Sequence, residues 1–188
     1  VRETAALLSH SLELDGQRIL ALGNDTAFLR EVGKPCLEGY LFPETYFFPW
    51  GIDEREALRT MVGMFDRMTE GLWAEEMTLG LSRHEIVTLA SIIESETPLP
   101  KERGLVASVY VNRLRSGWKL DADPTVIYGL GGLNRPLYRR DLKLDTPYNT
   151  YLHRGLPPTP INSPGIASIR AALRPDSSDY YFFVATNT

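Results

Sequence analysis

The sequence predicts an α+β fold: a single, mainly helical domain with short β-strands at its periphery. Two observations carry that prediction. The stretch from Asp53 to Arg115 holds three successive segments with helical periodicity, each bounded by capping or breaking residues. Two aromatic runs, Tyr46-Phe47-Phe48 and Tyr180-Tyr181-Phe182-Phe183-Val184-Ala185, are flanked by Pro or by Asp and Thr, as short strands are. No internal repeat, low-complexity tract or linker divides the 188 residues, so one domain spanning 1–188 is expected. An apolar content of 43% and a charged content of 23% suit a globular chain of this length with a substantial core.

The first thirty residues read as short helices, with Ala5, Leu8 and Leu12 on one face and Asn24-Asp25 as a turn or cap before Thr26. Gly33-Lys34-Pro35 breaks that pattern. Tyr46-Phe47-Phe48, preceded by Pro43 and followed by Pro49, suits an edge strand because Pro is excluded from central ones. Asp53 is the expected N-cap of a helix reaching Trp73, with Ala57, Met61, Met64, Phe65 and Met68 on its apolar face. That methionine stripe reads as core. After Pro98-Leu99-Pro100 a helix covers Lys101 to Arg115, turning Leu105, Val106, Val109 and Leu114 inward and closing at Gly117. Asp121–Gly129 leads into a glycine-rich turn, and a long loop region follows. A last helix is expected from Pro164 to Leu173.

The segment between these helices is the most informative. Ser82 with Glu85 three residues on forms a capping box, which fixes a helix start. Pro98 forces Thr97 out of helical geometry, which fixes the end. At about 100° per residue, Ile86, Leu89, Ile92 and Ile93 share a sector roughly 120° wide. Glu96 falls in the middle of that sector, while Glu94 points roughly 160° away. An ionised carboxylate among isoleucines is costly, and the negative end of the helix dipole adds to the cost, so Glu96 is expected to hold its proton. A carboxylic acid protonated at neutral pH is what general acid catalysis requires. A last-turn Glu frayed into solvent is the alternative.

Charge and composition exclude several classes. The net charge of −4 argues against capture of nucleic acid. The one cysteine, Cys36, allows no internal disulfide and no cysteine-based metal site, and His10, His84 and His153 lack ligand spacing, so neither metal nor cofactor is expected. Gly129-Leu130-Gly131-Gly132 has no Lys-Ser/Thr pair and does not follow a strand, and it reads as a flexible turn rather than a phosphate loop. No run approaches about 18 apolar residues, and no signal peptide is visible. The chain lacks an initiating Met and opens on mid-helix sequence, as a piece of a longer protein would. An anchor elsewhere in that protein remains compatible with all of this.

Loops rich in Tyr, Asn and Pro suit sugar-binding grooves, where rings stack on pyranoses and amides satisfy hydroxyls. Tyr148, Asn149 and Tyr151 fit that description, as do Asp123 and Thr125, although each also reads as a turn residue or surface polar group. Taken together, Leu37–Tyr46, Leu89–Thr97, Val106–Leu114, Asp123–Gly129, Tyr148–Tyr151 and Gly155–Pro158 resemble, in order, motifs of the endolytic murein transglycosylases, the YceG-like family. The resemblance covers nearly all of the chain from Leu37 onward and is weak before it.

The resemblance implies a lysozyme-like active-site helix and cleft. It also implies endolytic cleavage of peptidoglycan glycan strands at the bond between N-acetylmuramic acid and N-acetylglucosamine. A 1,6-anhydro ring then forms without water, and Glu96 matches the family's catalytic acid/base. Tyr148 and Asn149 resemble the pair set opposite the acid in many lytic transglycosylases. Asp123, Thr125 and Asn112 are subsite candidates or, equally, capping residues. Glu94 is the rival to Glu96, and Tyr151 is a further substrate contact. The family resemblance also implies action outside the cytoplasmic membrane, anchoring through a segment absent from this chain, and a possible partnership with peptidoglycan synthases. Two other readings stay open: a muramidase in which Asp123 activates water, and a non-catalytic peptidoglycan-binding scaffold.

Overall fold

The computed structural model describes residues 1–73 and 78–184, and what they form is helical. Eight α-helices follow in order: α1 (Arg2–Leu12), α2 (Gly16–Leu22), α3 (Thr26–Glu31), α4 (Glu54–Thr69), α5 (Arg83–Glu96), α6 (Arg103–Arg115), α7 (Asp123–Gly129) and α8 (Ile166–Leu173). Among the described residues there is no β-strand, so the α+β expectation is corrected to an all-helical architecture with long irregular loops.

Both expected strands show the alternation of a strand without its pairing. In the first, Tyr46 and Phe48 face the same way and stack at 5.5 Å, while Phe47 is 96% exposed. The Tyr46 hydroxyl donates to the Phe42 carbonyl at 2.7 Å, and no neighbouring chain lies alongside as a ladder partner among the described residues. In the second, Tyr181 and Phe183 turn inward while Tyr180, Phe182 and Val184 face out. Side chains of α6 take the backbone acceptors that a partner strand would have used. Asn112 Nδ2 donates to the carbonyls of Ser178 and Tyr180, and Arg113 Nε donates to that of Tyr181. A buried carbonyl must find a donor, and here it is supplied without a sheet. Ala185, the end of the expected strand, lies outside the described residues.

Helix starts follow local chemistry. Asp25 Oδ1 accepts from the Ala27 and Phe28 amides, Asp53 Oδ1 from that of Glu56, and Ser82 and Glu85 form the reciprocal capping box at α5. The expected helix to Trp73 ends earlier, at Thr69, and continues as a single 3₁₀ turn over Glu70–Leu72. Two residues expected to face inward, Met68 and Leu105, are 41% and 38% exposed. Asp121–Gly129 becomes the short helix α7, with Pro124 in its first turn where a missing N–H does no harm.

Two apolar cores meet side by side. In one, Ala5, Leu8, Ile19, Leu22 and Phe28 of α1–α3 pack on Leu58, Met61 and Val62 of α4. In the other, α5, α6 and α8 pack on one another. Ile86, Leu89, Ile92 and Ile93 are fully buried there, each contributing about 1.5–3 kcal/mol relative to exposure. The helix is not apolar on one side only, however: Val87, Thr88, Ala90 and Ser91 are also buried, because loop and α8 residues cover its back. Ser91 serves that contact directly, its Oγ accepting from the Ile161 amide and its carbonyl from Asn162 Nδ2.

Leu37–Phe42 stitches the cores together, sending Leu37 and Leu41 into one and Tyr40 and Phe42 into the other. Gly39 sits at the crossing with φ +87°, and a Cβ there would lie 2.4 Å from Pro160 Cγ. Only glycine meets both conditions.

Candidate active site

Glu96 is the last residue of α5, and its placement follows from how that helix stops. Thr97 is extended (φ −143°, ψ 129°) ahead of Pro98. Its hydroxyl donates to Glu102 Oε2 at 2.9 Å and accepts the Leu99 amide, which locks the turn into α6. Helix α6 then runs back along α5: its first residue, Arg103, bonds Glu94, and its last residues share a cavity with His84 and Thr88. This return brings Tyr110 beneath the acid, and its hydroxyl donates to Glu96 Oε1 at 2.6 Å. Tyr110 is 1% exposed and packs edge-on against Phe183, ring centroids 5.9 Å apart.

Glu96 is half-buried, and burial lifts its carboxyl above the ordinary value of 4.5. The hydrogen bond from Tyr110 and the guanidinium of Arg113 pull it back down, while the Asp123 carboxylate pushes it further up. Burial is the largest of these effects, so the balance is upward and the proton is held more tightly than on a free carboxyl. Tyr110 itself is pushed well up, first by burial and then by the neighbouring Glu96, so its phenol remains a donor.

A second pair lies close enough to act on this one electrostatically. Asp123, at the start of α7, is exposed, and its Oδ1 accepts the Tyr151 hydroxyl at 2.6 Å. Burial, followed by the Asp123 contact, raises the Tyr151 phenol too. Glu96, Tyr110, Asp123 and Tyr151 therefore form one polar cluster, bounded by α6, α7 and the loop after Asn149.

The remaining candidates stand elsewhere. Glu94 is tied into the scaffold: Arg103 Nη2 donates to its Oε1 at 2.7 Å, and the Gly165 amide to its Oε2 at 3.0 Å. Asn149 is fully buried, its Nδ2 donating to the carbonyls of Leu142 and Leu144 and its Oδ1 accepting the Tyr151 amide. Thr125 is also fully buried, donating to the Ala122 carbonyl at 2.7 Å and bonded to Thr150 Oγ1 at 2.9 Å. Asn112 holds the 178–180 segment as described above. Tyr148 is half-buried, its hydroxyl on Thr159 Oγ1 and its ring tilted against Tyr128 at 4.8 Å. Tyr128 in turn donates to Glu38 Oε2 at 3.1 Å.

Tyr110 and Arg113 are the site residues that sequence reasoning missed. Both sit in a stretch whose apolar neighbours mark it as core. The available signal was chemical: a buried phenol and a buried guanidinium each require a partner.

Two open cavities, of about 680 and 620 Å³, lie near the other end of α5, around His84, Leu156 and Pro158. Neither is lined by Glu96, and His84 stands twelve residues before it, roughly 18 Å along a helix. Among the described residues no group of three or more His, Cys, Asp or Glu could hold a metal ion, and no helix is long and apolar enough to cross a membrane.

Fold and site together define a helical domain with a half-buried glutamate at a helix end, bonded by a buried tyrosine, and an aspartate–tyrosine pair acting on it. The chain belongs to the YceG-like family, whose model matches residues 1–188. It is 32% identical over 200 residues to an endolytic murein transglycosylase of Bacillus subtilis, covering 97% of this chain and 56% of that protein. A protein of the same name from Streptococcus pneumoniae is 31% identical over 157 residues, covering 81% of this chain and 28% of its own length. The crystal structure of a yceG-like protein from Listeria monocytogenes superposes with a TM-score of 0.90 at 32% identity, covering 99% of this chain and 66% of that one. The chain thus spans just over half of one curated relative and under a third of the other.

Proposed function

We propose that this chain carries the catalytic centre of an endolytic lytic transglycosylase acting on the glycan strands of peptidoglycan. The observation that supports it most is the setting of Glu96: a half-buried carboxyl at a helix end whose hold on its proton burial strengthens, hydrogen-bonded by Tyr110 through one oxygen. The names of the curated relatives point the same way.

The chemistry needs one acid/base used twice. Glu96 donates its proton to the glycosidic oxygen, and the C1–O bond breaks with its electron pair going to that oxygen. Positive charge develops at C1 of the muramoyl residue, where the Asp123 carboxylate, oriented by Tyr151, offers electrostatic support. The C6 hydroxyl of the same sugar then attacks C1. Its proton passes to the Glu96 carboxylate, closing a 1,6-anhydro ring and restoring the acid. Atoms and charge balance without water. Thr125 and Asn149 serve this site by holding the loop that presents Tyr151, and Asn112 by fixing the segment that packs on Tyr110.

On this reading the centre works on the outer side of the cytoplasmic membrane, tethered there and in company with peptidoglycan synthases. The discriminating experiment digests purified peptidoglycan in isotopically labelled water. A transglycosylase gives anhydromuramoyl ends free of label. Reducing muramic acid ends in place of anhydro ends would instead make the enzyme a hydrolase, with Asp123 the candidate base.

A further inference from the structure

The Tyr110–Glu96 contact has an asymmetry that bears on the reaction. A phenol has one proton to give, and the Tyr110 proton is committed to Oε1 at 2.6 Å. Among the described residues no donor reaches Oε2. The ring cannot easily turn away. Tyr110 is 1% exposed, its side chain leans toward the start of α6 as helical side chains do, and Phe183 closes its edge. The 178–183 segment that carries Phe183 is itself clipped to α6 by Asn112 and Arg113.

We propose that Tyr110 is a positioning residue for the reaction: by occupying Oε1 it makes Oε2 the oxygen that delivers the proton to the leaving group and recovers it from the C6 hydroxyl. This rests on the transglycosylase reading given above. The same hydrogen bond strengthens as Glu96 ionises, because a donor bonds a carboxylate more strongly than a carboxylic acid. Tyr110 therefore helps the acid to let go of its proton while keeping a single geometry for its return. The other charged or titratable groups facing Glu96 are Arg113 of α6, Asp123 of α7 and Tyr151 of the following loop. Glu102 bonds Thr97, and Glu94 is engaged by Arg103.

Tyr110→Phe keeps the ring and its packing and removes only the donor. Losing a hydrogen bond to a charged group changes such an equilibrium about tenfold or more, which is about one pH unit. The basic limb of the kcat profile, where Glu96 loses its proton, is expected to move up by about that much. At the optimum kcat is expected to fall by up to about tenfold, with KM nearly unchanged. The carboxyl of Glu96, followed by NMR in protein with labelled glutamate and no substrate, is expected to titrate higher by the same amount. Phe183→Leu, which loosens packing but keeps the hydroxyl, is expected to lower stability while leaving the pH limb nearly in place.

An unshifted Glu96 titration in Tyr110→Phe overturns the proposal, whatever the activity. Equal shifts in both variants overturn it too, since packing would then explain the effect. If the titration shifts but the wild type releases no product, the transglycosylase reading fails and the coupling of Tyr110 to Glu96 stands.

Discussion

Asn149→Ala separates two roles for a residue that both sequence and structure mark. A sugar contact would leave the fold intact on truncation and lower only substrate handling. The structure instead gives Asn149 no exposed surface and three hydrogen bonds, at 3.0 Å to Leu142 O, 2.8 Å to Leu144 O and 2.9 Å from the Tyr151 amide. At a net 1 kcal/mol or so for each, removal costs about 3 kcal/mol. For a chain of this size that corresponds to a drop in Tm of roughly 6–12 °C. Because Tyr151 loses its backbone tether, the Tyr151–Asp123 pair loosens and activity falls together with stability. Differential scanning calorimetry beside a peptidoglycan digestion assay reads both. An unchanged Tm with lost activity would refute the reasoning and return Asn149 to direct substrate contact.

Other perturbations follow from the same geometry. The Glu96 carboxyl is raised in the folded protein above its ordinary 4.5, so the folded state binds more protons than the unfolded one between those two values. Stability therefore falls as pH rises through that window. Chemical denaturation is expected to find Glu96→Gln more stable than wild type at pH 7, with the difference vanishing below about pH 4.5. Gly39→Ala forces a Cβ to 2.4 Å from Pro160 Cγ at a φ of +87°; a loss of about 2–4 kcal/mol is expected in urea unfolding. Ser82→Ala breaks the capping box of α5 and should cost about 1 kcal/mol, a Tm decrease of roughly 2–4 °C, with the activity of folded protein unchanged.

What the sequence made legible was what local chemistry decides. Asp25, Asp53 and Ser82 start helices because a short oxygen-bearing side chain meets the free amides two or three residues ahead. The angular separation of Glu94 from Glu96 could be read off the helical period. The structure gives the two carboxylates different surroundings, Arg103 and the Gly165 amide for one and Tyr110 for the other. The strands were not legible, because alternation says which residues turn inward and not whether another chain lies alongside. At 178–183 the deciding groups were Asn112 and Arg113, some seventy residues away. The surroundings of Asn149 were not legible for a related reason: an amide in a polar loop serves a ligand or its own backbone equally well, and only the path of the chain sets its hydrogen bonds to Leu142, Leu144 and Tyr151. Tyr110 was hidden by its company, standing in a nearly continuous apolar run from Val106 to Val111.

The central claim is that Glu96 is the acid of a water-free cleavage. Mass spectrometry of the soluble products of purified peptidoglycan, treated with wild type, Glu96→Gln and Glu94→Gln, tests it most directly. Anhydromuramoyl ends are expected from wild type and from Glu94→Gln, and none from Glu96→Gln. The same anhydro product from Glu96→Gln, or its loss only in Glu94→Gln, would contradict the assignment.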